Sequence, residues 1–85
     1  MKTLKEIIDM YDKSGESLEI NYRTYYNNLD ILAGSCHFDY QTGELISNDG
    51  DWYCLNDGFN KWEMYTDTFS GEQYLVVWYE SEWIS

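Results

Sequence analysis

The chain has 85 residues, and its sixteen acidic against five basic side chains give a formal net charge of −11 at pH 7. This length predicts one domain, residues 1–85, with room for a single core but not for an elaborate cleft as well. The four Trp, nine Tyr and three Phe exclude a disordered acidic tail, because such tails are poor in aromatic residues.

The N-terminal segment predicts one short helix. Thr3 and Glu6 have the spacing of a capping box, in which each side chain binds a backbone amide of the other. Apolar residues follow at the spacing of one helical face: Leu4, Ile7, Ile8 and Tyr11. Gly15 is a plausible stop, so we expect the helix to end near Lys13.

The chain after the helix alternates with the period of two that is typical of half-buried strands. "SLEINYRTYY" predicts the first long strand, "NNLD" at 27–30 predicts a turn, and residues 31–40 predict the second strand. Gly43 suits a hairpin connection, after which residues 44–47 begin the return.

The tripeptide Asn-Asp-Gly occurs twice, at 48–50 and 56–58, with "DWYCL" between the copies. Asn, Asp and Gly favour tight reversals, so we interpret both copies as turns and "DWYCL" as a strand. Residues 59–67 and the segment "EQYLVVWYESEWIS" predict two more strands. We therefore expect an α+β fold with one N-terminal helix packed on an antiparallel β-meander of about five to six strands.

The segment 74–79 differs from the other predicted strands because both of its faces are apolar. Such a strand either lies centrally with cover on both sides or has one face that meets a partner, and a homodimer is one possible partner.

Residue types for metal or catalytic chemistry occur without the required spacing. Counted from Asn48, the sixth and twelfth positions of a calcium loop are Tyr53 and Phe59, which are not ligands. One His and two Cys, with no Cys-x-x-Cys pair, cannot close a zinc site. A weak cation site near Asp49 and Asp57 stays open, and otherwise no metal and no cofactor are expected.

Catalysis is not expected either. Carboxylate pairs such as Asp49 with Asp51 or Glu80 with Glu82 would need a pocket that desolvates them. A domain this small has few residues with which to enclose such a pocket. No apolar run approaches a membrane span, and the N-terminus lacks the apolar stretch of a signal peptide. We therefore expect a cytoplasmic protein in which Cys36 and Cys54 are reduced thiols, and in an oxidising compartment the two could pair.

The excess of negative charge predicts a cationic partner. Eleven acids but only one basic residue, Lys61, lie beyond residue 23. Carboxylates at alternate positions of a strand lie on one face, roughly 6.5–7 Å apart. This spacing is comparable to two base-pair rises of DNA. We predict one contact patch that combines acids with aromatic anchors: Asp49, Asp51, Asp57, Glu63, Asp67, Glu80, Glu82, Tyr79 and Trp83.

In its size, its charge and its helix-then-sheet order, the whole chain resembles the small acidic counter-defence proteins of phages and mobile elements. These are the anti-CRISPR proteins, the antirestriction DNA mimics and the uracil-DNA glycosylase inhibitors. The resemblance implies an inhibitor without catalytic activity that acts in a bacterial cytoplasm and occupies the nucleic-acid site of a nuclease or glycosylase. No motif is shared, so no functional residue is carried over.

The expected function is thus inhibition of a basic nucleic-acid-binding protein by charge mimicry, with a CRISPR effector nuclease as the favoured target. Direct binding of nucleic acid is not expected, because that needs Lys and Arg beside the aromatic rings. One alternative is an immunity or antitoxin protein, or a phage accessory subunit, that binds one basic partner without mimicry. Another is a carbohydrate-binding module, which a glycan screen would identify.

Overall fold

The computed structural model describes residues 1–13 and 15–79. Helix α1 spans Leu4–Asp9, and the predicted capping box of Thr3 and Glu6 is present. The helix is shorter than expected. The amide of Met10 bonds to the carbonyl of Ile7 three residues back, a tight closing turn that ends the α-helical pattern before Lys13.

Within the described residues the strands are β1 Lys2–Thr3, β2 Ser17–Tyr26, β3 Leu29–Asp39, β4 Leu45–Ser47, β5 Gly58–Phe59, β6 Lys61–Thr66 and β7 Gln73–Trp78. The turn between β2 and β3 lies within the predicted "NNLD" segment but is shorter than expected: Asn27 and Asn28 have positive φ, and β3 already begins at Leu29. Gly43 also has a positive φ of 73° in the connection before β4.

The main sheet has the strand order β4-β3-β2-β7-β6, and β1 and β5 form a separate antiparallel pair. The α+β class is confirmed in outline, but the expectation of a purely antiparallel meander is wrong, because β7 runs parallel to β2. A meander would leave β7 at an outer edge of the sheet. Its two apolar faces are instead covered with the help of neighbours on both sides, between β2 and β6, and in that position it runs parallel to β2.

The prediction of a strand for "DWYCL" is also wrong: residues 51–55 form a loop. Two turns replace the expected ladder, one in which Asp49 accepts the amide of Asp51 and one in which the amide of Asp57 bonds to Cys54. Gly50 has the positive φ of 86° expected of a reversal, whereas Gly58 simply begins β5.

One face of the sheet packs against α1 and carries the core. Its buried residues include Leu4 and Ile8 of the helix and Ile20, Cys36 and Leu75 of the sheet. The opposite face, called here the open face, carries no helix from residues 1–13 or 15–79. On that side Val76 and Trp78 of β7 are nevertheless buried, because side chains of the neighbouring strands surround them.

Candidate functional site

The predicted patch falls into two groups in the structure. Asp49, Asp51 and Asp57 lie in the segment between β4 and β5, and the carboxylates of all three raise the pKa of the Tyr79 phenol. Glu63 lies on the open face of β6, and Asp67 lies in the turn after it. The other three predicted residues lie outside the described part of the chain: Glu80, Glu82 and Trp83.

The first group belongs to the segment 48–57, called here the Trp52 loop. Asp49 fixes its first half by accepting hydrogen bonds from the Ser47 hydroxyl at 3.0 Å, the Asp51 amide at 3.0 Å and the Ser35 amide at 3.1 Å. The Tyr53 hydroxyl donates a fourth bond at 2.5 Å. These four donors stabilise the ionised carboxylate and hold the pKa of Asp49 at about 2, and the Tyr53 hydroxyl is the largest contributor.

Tyr53 ties the same loop to the core. Its ring stacks on the buried ring of Tyr22 with 4.6 Å between centroids. The hydroxyl lies so close to Gly34 of β3 that a Cβ at this position would collide with it. A residue without a side chain is therefore required at position 34 for Tyr53 to reach Asp49.

The second half of the Trp52 loop is held by the start of the helix. The amide of Leu4 donates to the carbonyl of Asp57 at 2.8 Å, and the amide of Lys5 donates to the carbonyl of Leu55 at 3.1 Å. The first amides of a helix have no partner within it, so the loop supplies acceptors that the helix needs. Both halves of the loop are thus fixed to the fold.

Between these fixed halves, Trp52 projects into solvent with 99% of its surface exposed. Asp51 precedes it in the chain, and Tyr79 lies on the core below the loop. Burial is the main cause that raises the pKa of Tyr79 to about 12, and the carboxylates of Asp57 and Asp51 raise it further. The loop therefore presents a large apolar side chain within a region of negative potential.

Asp67 of the second group lines a depression of about 530 Å³ on the open face, together with Tyr65 and Tyr74. The Tyr65 hydroxyl donates to Glu63, and the ring of Tyr65 stacks on Tyr74 with centroids 5.6 Å apart. Asp67 accepts the amides of Phe69 and Ser70, so it organises its own turn. Phe69 at the tip of that turn is 99% exposed.

The two cations on the open face already have partners. Arg23 Nε donates to Asp30 at 2.8 Å, and the same carboxylate accepts the indole N–H of Trp78. The ammonium of Lys61 lies 4.4 Å from the centroid of the Trp78 ring and donates to the Tyr25 hydroxyl at 2.7 Å. Lys61 therefore covers the indole of Trp78, which presents no free ring surface for a ligand on that side.

Some features of the described residues bear on chemistry. Within residues 1–13 and 15–79, no three His, Cys, Asp or Glu side chains are grouped as a metal site. Cys36 is buried in the core while the neighbouring His37 bonds to Asn48 from the open face, so the two cannot act as a nucleophile and base. No helix in the described part of the chain is long and apolar enough to cross a bilayer.

Comparison with models of protein families, with curated protein sequences and with solved structures gives no match for this chain. The candidate site therefore depends on its own geometry.

The predicted contact patch includes neither Trp52 nor Phe69, although both side chains are 99% exposed. The sequence predicts a strand at Trp52, in which every second side chain would face the core. A Trp directly after an acid and within two residues of an Asn-Asp-Gly turn could have indicated a loop residue instead. Phe69 sits in the segment "TFSG" between the last two predicted strands, and a connecting position alone already favours exposure.

Proposed function

We propose that this chain is a small acidic binding protein that occupies the positively charged nucleic-acid-binding site of another protein, with a CRISPR effector nuclease as the favoured target. The observation that supports this best is the Trp52 loop, where a fully exposed indole projects between fixed loop halves that also carry acids. Carboxylates would replace phosphates at the partner's Arg and Lys side chains. The indole would fill a desolvated pocket and supply much of the binding energy.

The acids of the Trp52 loop have different roles in this proposal. Asp49 uses both of its carboxylate oxygens within the fold, so its reversal would disturb the loop as well as the charge. Asp51 and Asp57 are exposed, and we assign the contact with the partner to them together with Trp52. A loop that is already ordered loses little conformational entropy on binding, which favours its use as a docking element.

The proposal is tested by measuring DNA cleavage by a guide-loaded CRISPR nuclease in the presence of the chain. We expect inhibition that weakens with salt and with added duplex DNA, because charge mimicry competes with phosphates. Asp51→Lys with Asp57→Lys should raise the half-inhibitory concentration at least about tenfold. Trp52→Ala should raise it by a similar factor, since an anchoring Trp contributes about 2 kcal/mol or more.

A matched control is Asp12→Lys with Glu44→Lys, which changes the net charge equally at exposed positions outside the Trp52 loop. This control should keep most of the inhibition. The same assay extends to a restriction endonuclease and a uracil-DNA glycosylase. Absence of inhibition across all three enzyme classes, or equal effects of the two double variants, would contradict the proposal.

A second candidate is an immunity-type protein that binds one basic partner without imitating nucleic acid. The observation in its favour is that two turn-borne aromatic residues, Trp52 and Phe69, are each 99% exposed. Two exposed rings favour a partner that is held mainly by aromatic anchors, whereas in the mimic a single anchor acts together with the acids of the Trp52 loop. Binding that duplex DNA does not displace, and that Trp52→Ala weakens more than the acid reversals do, would select this candidate.

A further inference from the structure

Part of strand β3 has an outer edge that no other described strand covers. β3 pairs with β2 from Leu29 to Asp39, but β4 pairs with it only between Cys36 and Phe38. Residues 29–33, called here the free β3 edge, therefore present backbone groups that have no ladder partner on that side within the described part of the chain, whereas Gly34 is buried under the Tyr53 hydroxyl. Such an edge is a template for pairing with another strand.

The free β3 edge and the adjoining end of β2 are also apolar. Their large apolar side chains are between 40% and 64% exposed: Tyr26, Leu29, Ile31 and Leu32. Edge strands usually carry a charge or a Pro that prevents association. Here the protective features are a bulge, where Arg23 pairs with Leu32 instead of Ala33, and a single acid, Asp30.

This region is nearly neutral on a strongly negative molecule. Residues 24–35 contain no basic residue and only Asp30 as an acid, and the Arg23 guanidinium neutralises that carboxylate at 2.8 Å. A cationic partner is attracted to the acids elsewhere and gains nothing from charge at this edge. A second copy of the chain is repelled by those same acids, so two copies can approach only through a neutral apolar surface.

We propose that two copies of this chain pair antiparallel through their free β3 edges around a two-fold axis. A two-fold axis brings one strand antiparallel to its own copy, so each edge is the complement of the other. The two five-stranded sheets would become one continuous sheet. This inference concerns a different surface from the Trp52 loop and does not depend on the proposed function.

The residues of the edge select a register. Residues that stand opposite each other in a ladder point to the same face of the sheet. If the core faces of the two copies lie on one side, an even-numbered residue of the edge therefore pairs with an even-numbered residue of the copy, and an odd-numbered residue with an odd-numbered one. Centring on Asp30 would place two carboxylates face to face, which is unfavourable. Centring on Ile31 places Ile31 against its copy and Asp30 against Leu32, so we assign the axis to Ile31.

The test is the mass of the purified full chain in solution by sedimentation equilibrium. We expect a dimer of about 20 kDa from the 10.2 kDa chain, with a population that rises as salt is increased to about 0.5 M, because salt screens the repulsion between copies. Ile31→Lys should abolish the dimer. Ile46→Lys is a matched control, since Ile46 is an exposed apolar residue of β4 with nearly the same exposure, 42% against 40%, and it should leave the dimer intact.

A second variant checks the register independently of any loss of folding. Ile31→Cys in a Cys54→Ser background should form a disulfide between copies under mild oxidation, whereas Ile46→Cys in the same background should not. A wild-type chain that is monomeric at every salt concentration would overturn the proposal, as would a dimer that survives Ile31→Lys. The dimer is expected to strengthen with salt and partner binding to weaken, so failure of one proposal is distinct from failure of the other.

Discussion

The carboxylate of Asp30 on β3 accepts a hydrogen bond from the indole N–H of Trp78 on β7, although 48 residues separate the two in the chain. The same carboxylate binds Arg23 on β2, the strand that lies between them. One acid therefore links three adjacent strands on the open face.

We predict that Asp30→Ala lowers the free energy of unfolding by about 1 kcal/mol at low salt, a value at the upper end for a pair that is more than a third exposed. The cause is the loss of bonds to Arg23 and Trp78 together. Urea unfolding followed by circular dichroism measures the change. Asp9→Ala, which removes ion pairs confined to the N-terminal segment, is the control and should cost less. Equal losses would show that the link across β2 adds no stability.

Gly34→Ala should destabilise the fold by about 1–3 kcal/mol, because the new Cβ collides with the Tyr53 hydroxyl and forces the Trp52 loop to move. Gly58→Ala is the control, since its Cβ would meet only the side chain of Met1, which can shift. Removing the hydroxyl in a Gly34→Ala, Tyr53→Phe double variant should recover part of the loss. A double variant whose loss equals the sum of the two single losses would contradict this contact.

The bond between Tyr53 and Asp49 gives a prediction for pH. The folded pKa of Asp49, about 2, lies below its ordinary value of 3.8, so its contribution to stability is present above pH 3.8 and is lost as the pH falls toward 2. Tyr53→Phe removes the largest cause of this shift, and the pKa of Asp49 should rise toward 3.8. Carboxyl carbon NMR titration measures both values. An unchanged Asp49 pKa in the variant would mean that the backbone donors alone fix it.

The two thiols should differ in reactivity. Cys54 is exposed, whereas Cys36 is buried and burial raises its pKa to about 11. We expect one thiol per chain to react with a disulfide reagent at neutral pH in the native protein, and the second only after unfolding. Cys54→Ser should abolish the fast reaction. Fast labelling that persists in this variant would show that the core around Cys36 opens readily.

Local features of the fold could be predicted from the sequence, and long-range ones could not. The capping box of Thr3 and Glu6 and the turn at Asn27 and Asn28 are set by residues only a few positions apart. The parallel pairing of β7 with β2 joins strands that lie far apart in the chain. The alternation of apolar and polar residues within residues 74–78 does not indicate which distant strand will be the neighbour.

The candidate site shows the same division. Acids near aromatic residues were visible in the sequence, and the carboxylates of Asp49, Asp51 and Asp57 raise the pKa of Tyr79. The packing that holds the Trp52 loop in place depends on two contacts of Tyr53. Its hydroxyl lies against Gly34, nineteen positions earlier in the chain, and its ring stacks on Tyr22. Nothing in the segment 48–57 itself indicates that β3 has a glycine, Gly34, at the position where the Tyr53 hydroxyl packs.

The parallel pairing of β2 with β7 also has a consequence for how the chain folds during synthesis. The hairpin of β2 and β3 can form as soon as it leaves the ribosome, but the strand that completes the middle of the sheet begins at Gln73, 34 residues after the hairpin ends at Asp39. Closing so long a loop is slow compared with forming a hairpin. Until β7 arrives, the inner edge of β2 stays bare, so a nascent chain that pauses before residue 73 is the species most exposed to aggregation and to proteases.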